Sequence, residues 1–214
     1  RPTSFPPFLP FFLPVTSTQV GRISAYISMA HVVTSRMSST SLAAQQVILS
    51  AFYSLTPVAD SLSLTGQSYV PSLSGRRLAV YNRRLLTVGV LFGVLMSAAM
   101  TLLPLLSPLM TADPSVRLAV SSASPCVARA FLLHGVVCAA EGVMLGMTDL
   151  NFLSAAYAVA FFAAPAAFLR VKRMRSPGTV DVWRVFGAYN LVRGAVWTAR
   201  VAWLSRREGR EDGG

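Results

Sequence analysis

Acidic residues are scarce in this chain. Asp and Glu together number 8 among 214 residues, and 13% of positions carry any charge, about half the share usual in soluble domains. Cysteine is scarcer still, with Cys126 and Cys138 alone. Their 12-residue separation fits neither a metal motif nor a disulfide framework, so both read as small buried apolar residues. Lysine occurs once, at Lys172, and the arginine skew reads as codon bias rather than chemistry. Nothing in the sequence pairs Ser, His and Asp as a hydrolase would, cradles phosphate on a glycine loop, or spaces Cys and His for a metal. Enzymatic activity and a bound cofactor are therefore not expected. A net charge of +11 would suggest nucleic acid in a soluble protein, but basic residues here are not interleaved with aromatics. They collect between apolar runs, as loops facing anionic lipid headgroups do.

What the chain has instead is long hydrophobic runs. From Leu85 to Ala112 it reads LLTVGVLFGVLMSAAMTLLPLLSPLMTA without one charge, longer than the roughly 20 residues that span a bilayer. Within hydrocarbon every backbone polar group must pair internally, so such a run is helical. Leu150 to Leu169, LNFLSAAYAVAFFAAPAAFL, repeats the signal. A hydrophobic share of 53% and mean hydropathy of +0.54 agree. The expected fold class is an all-α polytopic membrane bundle.

Six transmembrane helices can be placed, at about 8–35, 42–69, 85–110, 116–147, 150–169 and 180–204. An N-terminal stub, 1–7, precedes them, and a polar, disordered tail, 205–214, follows. The first segment is interrupted by Arg22, a loop holds Gly75, Arg76, Arg77, Arg83 and Arg84, and Asp113-Pro114 marks a turn. The fourth segment is expected to break near Pro125. Pro57, Pro104 and Pro165 fall inside segments and should kink them. Pairs of small residues four apart, Gly89 with Gly93, Gly135 with Ala139 and Gly142 with Gly146, predict close helix packing. Basic residues lie on both faces, so charge bias assigns no orientation. The N-terminal RPTSFPPFLPFFLP makes a poor signal peptide, and the chain reads as a piece of something longer.

An ionisable residue inside a span is a functional-site hypothesis by default. Asp60 and Glu141 both qualify, each followed by a tiny residue that leaves room for an ion or water. Burial away from cations would let them exchange protons near neutral pH, and a carboxylate facing a wet cavity could equally bind sodium. Alternatively, either acid pairs with Arg129 or Arg193 and pins the bundle. His134, seven residues before Glu141, is a candidate proton partner. Asp149 is expected to cap the next helix. Arg184 can snorkel to an interface, whereas the deeper Arg193 needs a partner.

The segment SLAAQQVILSAFYSLTPVADSLSLTGQ resembles the eighth helix of multidrug and toxic-compound extrusion (MATE) transporters of the DinF-like branch. Leu-Ala-Ala-x-Gln-Val at its start, Asp60, and the Gly-Gln ending at Gln67 carry the likeness. Glu141-Gly142 followed by Gly146-Met147-Thr148-Asp149 is similar to that branch's tenth helix, with Glu where Asp is usual. Trp183 and YNLVR, Tyr189 to Arg193, are similar to its last helix. The resemblance implies that the six spans equal helices seven to twelve, the C-terminal lobe of a twelve-helix transporter. It places Asp60, Gln67, Glu141 and Arg193 in a polar interior. It implies antiport of small organic molecules against protons or sodium, with a missing N-terminal lobe and the lipid bilayer as partners. The face that meets that lobe should be concave and polar, with Gln, Asn or Tyr among small residues. A lipid flippase of the same superfamily and a non-transporting membrane bundle are the alternatives. Plastid envelope, vacuolar and plasma membranes fit equally.

Overall fold

The computed structural model describes residues 9–211; the expected stub at 1–7 and residues 212–214 of the tail lie outside the described residues. The chain forms α1 (Leu9–Arg36), α2 (Ser39–Tyr69), α3 (Gly75–Met110), α4 (Pro114–Leu132), α5 (His134–Gly146), α6 (Leu150–Lys172) and α7 (Thr179–Glu211), with a 3-10 turn at Val70–Ser72. No strand occurs among the described residues. Four of the helical segments, 39–72, 75–110, 114–146 and 150–172, are long and apolar enough to cross a membrane. The molecule is therefore an all-helical bundle suited to a membrane.

Local sequence sets the helix starts. Ser38 accepts the Ser41 backbone N–H at 3.3 Å. Asp113 accepts that of Ser115 at 2.8 Å, with Pro114 in the first turn of α4, as the expected turn requires. Asp113 is solvent-exposed, and the Ser115 hydroxyl and backbone N–H hold its carboxyl below the usual carboxylate range.

Three expected boundaries are corrected. The arginines at 76, 77, 83 and 84 lie inside α3, which starts ten residues before the apolar run. Arginine is a good helix former, so the membrane edge and the helix end need not coincide. Likewise α7 runs on through Arg206, Arg207 and Glu208 to Glu211, because an established helix gains one hydrogen bond per added residue. The fourth segment breaks at Leu133 and not near Pro125, which sits inside α4. Pro57, Pro104, Pro108 and Pro165 also sit inside helices. One lost hydrogen bond costs less than unravelled backbone where no water can replace it. At Leu133 the interruption is one residue long, since Val137 N–H already donates to the Leu133 carbonyl at 3.0 Å.

The α4–α5 rod is the centre of the bundle. Of its apolar window 78% is buried, against 22% for α2 and α6. Its glycines set how closely the neighbours approach. A Cβ on Gly89 would stand 2.8 Å from the Gly135 carbonyl oxygen, and one on Gly66 would stand 2.6 Å from the Gly142 carbonyl carbon. All three small-residue pairs thus serve as expected, and Gly66 joins them. Phe52, Phe131, Trp183 and Phe186 fill one core, with Phe52 and Phe131 edge-on at 5.0 Å.

Contacts at the two ends fix the direction of travel. Asn82 Nδ2 donates to Ser205 Oγ at 3.0 Å, so the start of α3 meets the end of α7. Lys172 Nζ lies 2.7 Å from His31 Nε2 at the opposite end. The described chain therefore finishes on the side where it began.

Candidate functional site

Glu141, midway along the buried α5, anchors a cluster drawn from five helices. Arg193 of α7 donates through Nη2 to Glu141 Oε2 at 3.0 Å. Tyr157 of α6 donates its hydroxyl to the same oxygen at 2.7 Å and accepts from Arg193 Nη2 at 2.6 Å, closing a triangle. Arg193 also lies over the rings of Tyr157, Tyr189 and Trp197 at 5.4, 5.1 and 5.7 Å. Such aromatic faces stabilise a desolvated guanidinium. From α1, Arg22 Nη1 reaches Glu141 Oε1 at 3.7 Å. Gly21 makes this possible: a Cβ there would stand 2.6 Å from the Tyr157 carbonyl oxygen, so α1 lies tight against α6 and delivers Arg22 beside it.

Asp60 of α2 faces the same space differently. Its carboxylate meets the Cys138 thiol, with Sγ 3.9 Å from Oδ1, and among the described residues it has no ion-pair partner within 4.0 Å. Cys138 in turn lies 3.8 Å from His134 Nε2, one turn back along α5. His134 is buried, and its Nδ1 has no partner. Arg22, Asp60, His134, Cys138, Glu141 and Arg193 line one pocket of about 160 Å³, together with Tyr26 and Tyr53. Its volume suits a cation with a few waters; drug-sized ligands occupy roughly 300–1,000 Å³.

Four of the six residues singled out by the sequence thus converge: Asp60, Glu141, His134 and Arg193. The other two do not. Gln67 is exposed, its Nε2 donating to Ser63 Oγ at 3.1 Å, because it lies two turns beyond Asp60 toward the helix end. Asp149 occupies the N-cap position of α6 without capping it. Its carboxylate instead takes both Nε and Nη2 of Arg200, at 2.7 and 3.0 Å. A charged bidentate partner outcompetes a backbone N–H. Nor is Glu141 held away from cations, as proton exchange near neutrality would need. Arg129, a candidate partner for either acid, points elsewhere and donates to the Pro125 carbonyl at 3.0 Å.

Sequence reasoning missed three members: Arg22, Tyr157 and Cys138, the last read as a small buried apolar residue. Arg22 carried the same signal as Asp60, a charge inside an apolar segment, and was read only as an interruption. Tyr157 carried none, being one aromatic in an apolar run.

The α2 surface beside the pocket carries Gln46, Ser50, Ser54, Ser61 and Ser68, all exposed. The serines donate to carbonyls three or four residues back, Ser50 and Ser54 at 2.9 Å. They are satisfied within the helix, so this polar face needs no water.

No family model, no curated protein and no solved structure matches this chain.

Proposed function

We propose that this chain is a six-span half of a cation-coupled antiporter that exports small organic molecules, the C-terminal lobe of a MATE-type transporter. In this reading α1 and α7 also cross the bilayer, with their arginines held by Glu141 and Asp149 or carried to an interface. The observation that carries the reading is the difference between two acids, the buried Glu141 and the half-buried Asp60. Glu141 is held by Arg193, Tyr157 and Arg22, while Asp60 faces the same small pocket without an ion-pair partner.

In this reading Asp60 is therefore the coupling carboxylate, in place of Glu141, which the sequence alone favours for the room left by Gly142 and Gly146 and for the nearby His134. With two guanidinium groups and two carboxylates the pocket is balanced, so a proton or sodium ion arriving at Asp60 cancels that carboxylate's attraction for Arg22. Arg22 then leans further onto Glu141, which biases α1 against α2, and differential cation affinity shifts the population of transport states. The organic substrate needs more room than this pocket holds. The polar α2 face supplies one wall of that room once a second lobe stands opposite, as alternating access requires. A non-transporting bundle is favoured by one observation, the Glu141–Arg193–Tyr157 triangle, which by itself is a pin.

Efflux by the full-length protein in proteoliposomes, under an imposed proton or sodium gradient, tests the assignment. Asp60→Asn should insert and melt like the native protein yet lose gradient-driven efflux. Undiminished efflux by that variant would sink the coupling role.

A further inference from the structure

At the end of the bundle where α3 begins, three arginines share a side of one helix. Successive residues of an α-helix turn by about 100°, so Arg76, Val80 and Arg84 stack in a row, with Arg77 and Tyr81 beside it. Together with Leu73 they line an open groove of about 560 Å³. This side of α3 faces away from the bundle, since Leu78, Asn82, Leu85 and Gly89 are the residues buried against it. Tyr81 forms a fixed wall, its hydroxyl donating to the Thr65 carbonyl at 3.1 Å.

The three guanidinium groups are exposed and carry no hydrogen bond or ion pair among the described residues. Two arginines elsewhere differ: Arg184 has Asp181 at 3.4 Å, and Arg200 has Asp149. Among the described residues no acidic side chain lies within ion-pair distance of Arg76, Arg77 or Arg84. Below them the same side of α3 continues as Val88, Leu91 and Leu95, exposed at 47%, 64% and 63%, within the uncharged run that starts at Leu85. Cationic groups thus stand directly above an apolar stripe, at the boundary between headgroup and hydrocarbon.

The geometry points to a binding site for an anionic glycerophospholipid, its phosphate held among Arg76, Arg77 and Arg84 and its acyl chains along Val88, Leu91 and Leu95. Charge complementarity selects the headgroup, since guanidinium pairs phosphate through parallel N–H donors. The stripe selects a lipid over free phosphate, because a soluble anion would leave the apolar half of the site unused. This inference goes beyond the transport reading and depends only on the bundle lying in a membrane.

The test uses the full chain in detergent, titrated with phosphatidylglycerol or phosphatidylcholine and examined by native mass spectrometry for retained lipid. The native chain should retain phosphatidylglycerol in preference. Arg76→Gln/Arg77→Gln/Arg84→Gln should weaken that retention on the order of a hundredfold, each surface cation giving roughly a fivefold effect. Arg84→Gln alone should show about fivefold, which keeps the test valid if the triple variant folds poorly. Arg170→Gln/Arg173→Gln/Arg175→Gln, the same charge change at the opposite end, should retain phosphatidylglycerol as the native chain does. Equal retention by the first triple variant, or an equal loss in the second, overturns the site. Displacement of bound lipid by millimolar inorganic phosphate overturns the assignment to a lipid. Membranes carrying the chain are washed in alkaline carbonate in parallel. Release of the chain overturns the membrane placement itself, whereas firm retention with no phosphatidylglycerol preference overturns the site alone.

Discussion

Arg193 Nη2 and Glu141 Oε2 stand 3.0 Å apart, both side chains about 6–7% exposed, and tie the last helix to the central one. Removing one member leaves an uncompensated buried charge, at a cost of roughly 3–5 kcal/mol. Arg193→Met and Glu141→Gln should each lower the melting temperature in detergent by many degrees. The double variant should lose less than the sum of the two, because neither charge is then left alone. Additive losses would show that the pair is not a unit.

Tyr157 is the third corner of the same triangle. Tyr157→Phe keeps the ring under Arg193 and removes only the hydroxyl that joins both charged groups. It should cost about 1–3 kcal/mol, the price of an unsatisfied buried partner. A thermal melt unchanged by this substitution would mean that the hydroxyl is dispensable.

The glycines divide by what a Cβ would meet. Gly142→Ala places a methyl against the Ser63 backbone and should destabilise the bundle by about 1–3 kcal/mol, as overpacking does. At Gly187 a Cβ would stand 3.8 Å from Ala130 Cβ, an ordinary contact. Gly187→Ala should therefore stabilise α7 by up to about 1 kcal/mol through helix propensity. Melting temperatures moving in the same direction for both would refute this reading of the close approach.

Asp113, outside the spans, gives a pH signature. Its carboxyl is lowered by its hydrogen bonds from Ser115, so its contribution is complete above the ordinary carboxylate range and fades as pH falls through the lowered one. Asp113→Asn keeps an accepting oxygen but cannot titrate. The melting difference between the two proteins should shrink on acidification; a constant difference would exclude the carboxylate's role.

In the proposed six-span reading, an even number of crossings puts the α2–α3 and C-terminal segments on one side of the membrane. Ser74→Cys and Arg206→Cys, both exposed, should react with an impermeant maleimide from the same face, and Ser176→Cys from the other. The native thiols, both buried, should stay silent. Labelling of residues 74 and 206 from opposite faces would overturn the six-span arrangement.

Length and apolarity alone mark the helices in the sequence, because a hydrocarbon environment leaves the backbone one economical way to satisfy itself. That is why the α6 start, the Asp113-Pro114 turn and the Gly89 and Gly142 packing faces could be read directly. Asp60 and Glu141 could be read too, since a charge in an apolar run is costly wherever it ends up. Their partners could not be read. Which cation meets Glu141 depends on how α1, α6 and α7 rotate around α5, and that rotation is set by packing over the whole bundle, so Arg22 and Tyr157 stayed hidden. Gln67 and Asp149 show the same limit from the other side. Local spacing placed each near an acid or a cap, yet a distance of two helix turns and a bidentate arginine on α7 decided otherwise. The sequence by itself determined that the chain folds as helices and which residues are expensive to bury; only the tertiary structure decided that Glu141 is held by cations while Asp60 is not, because charge pairing depends on distance through space and not along the chain.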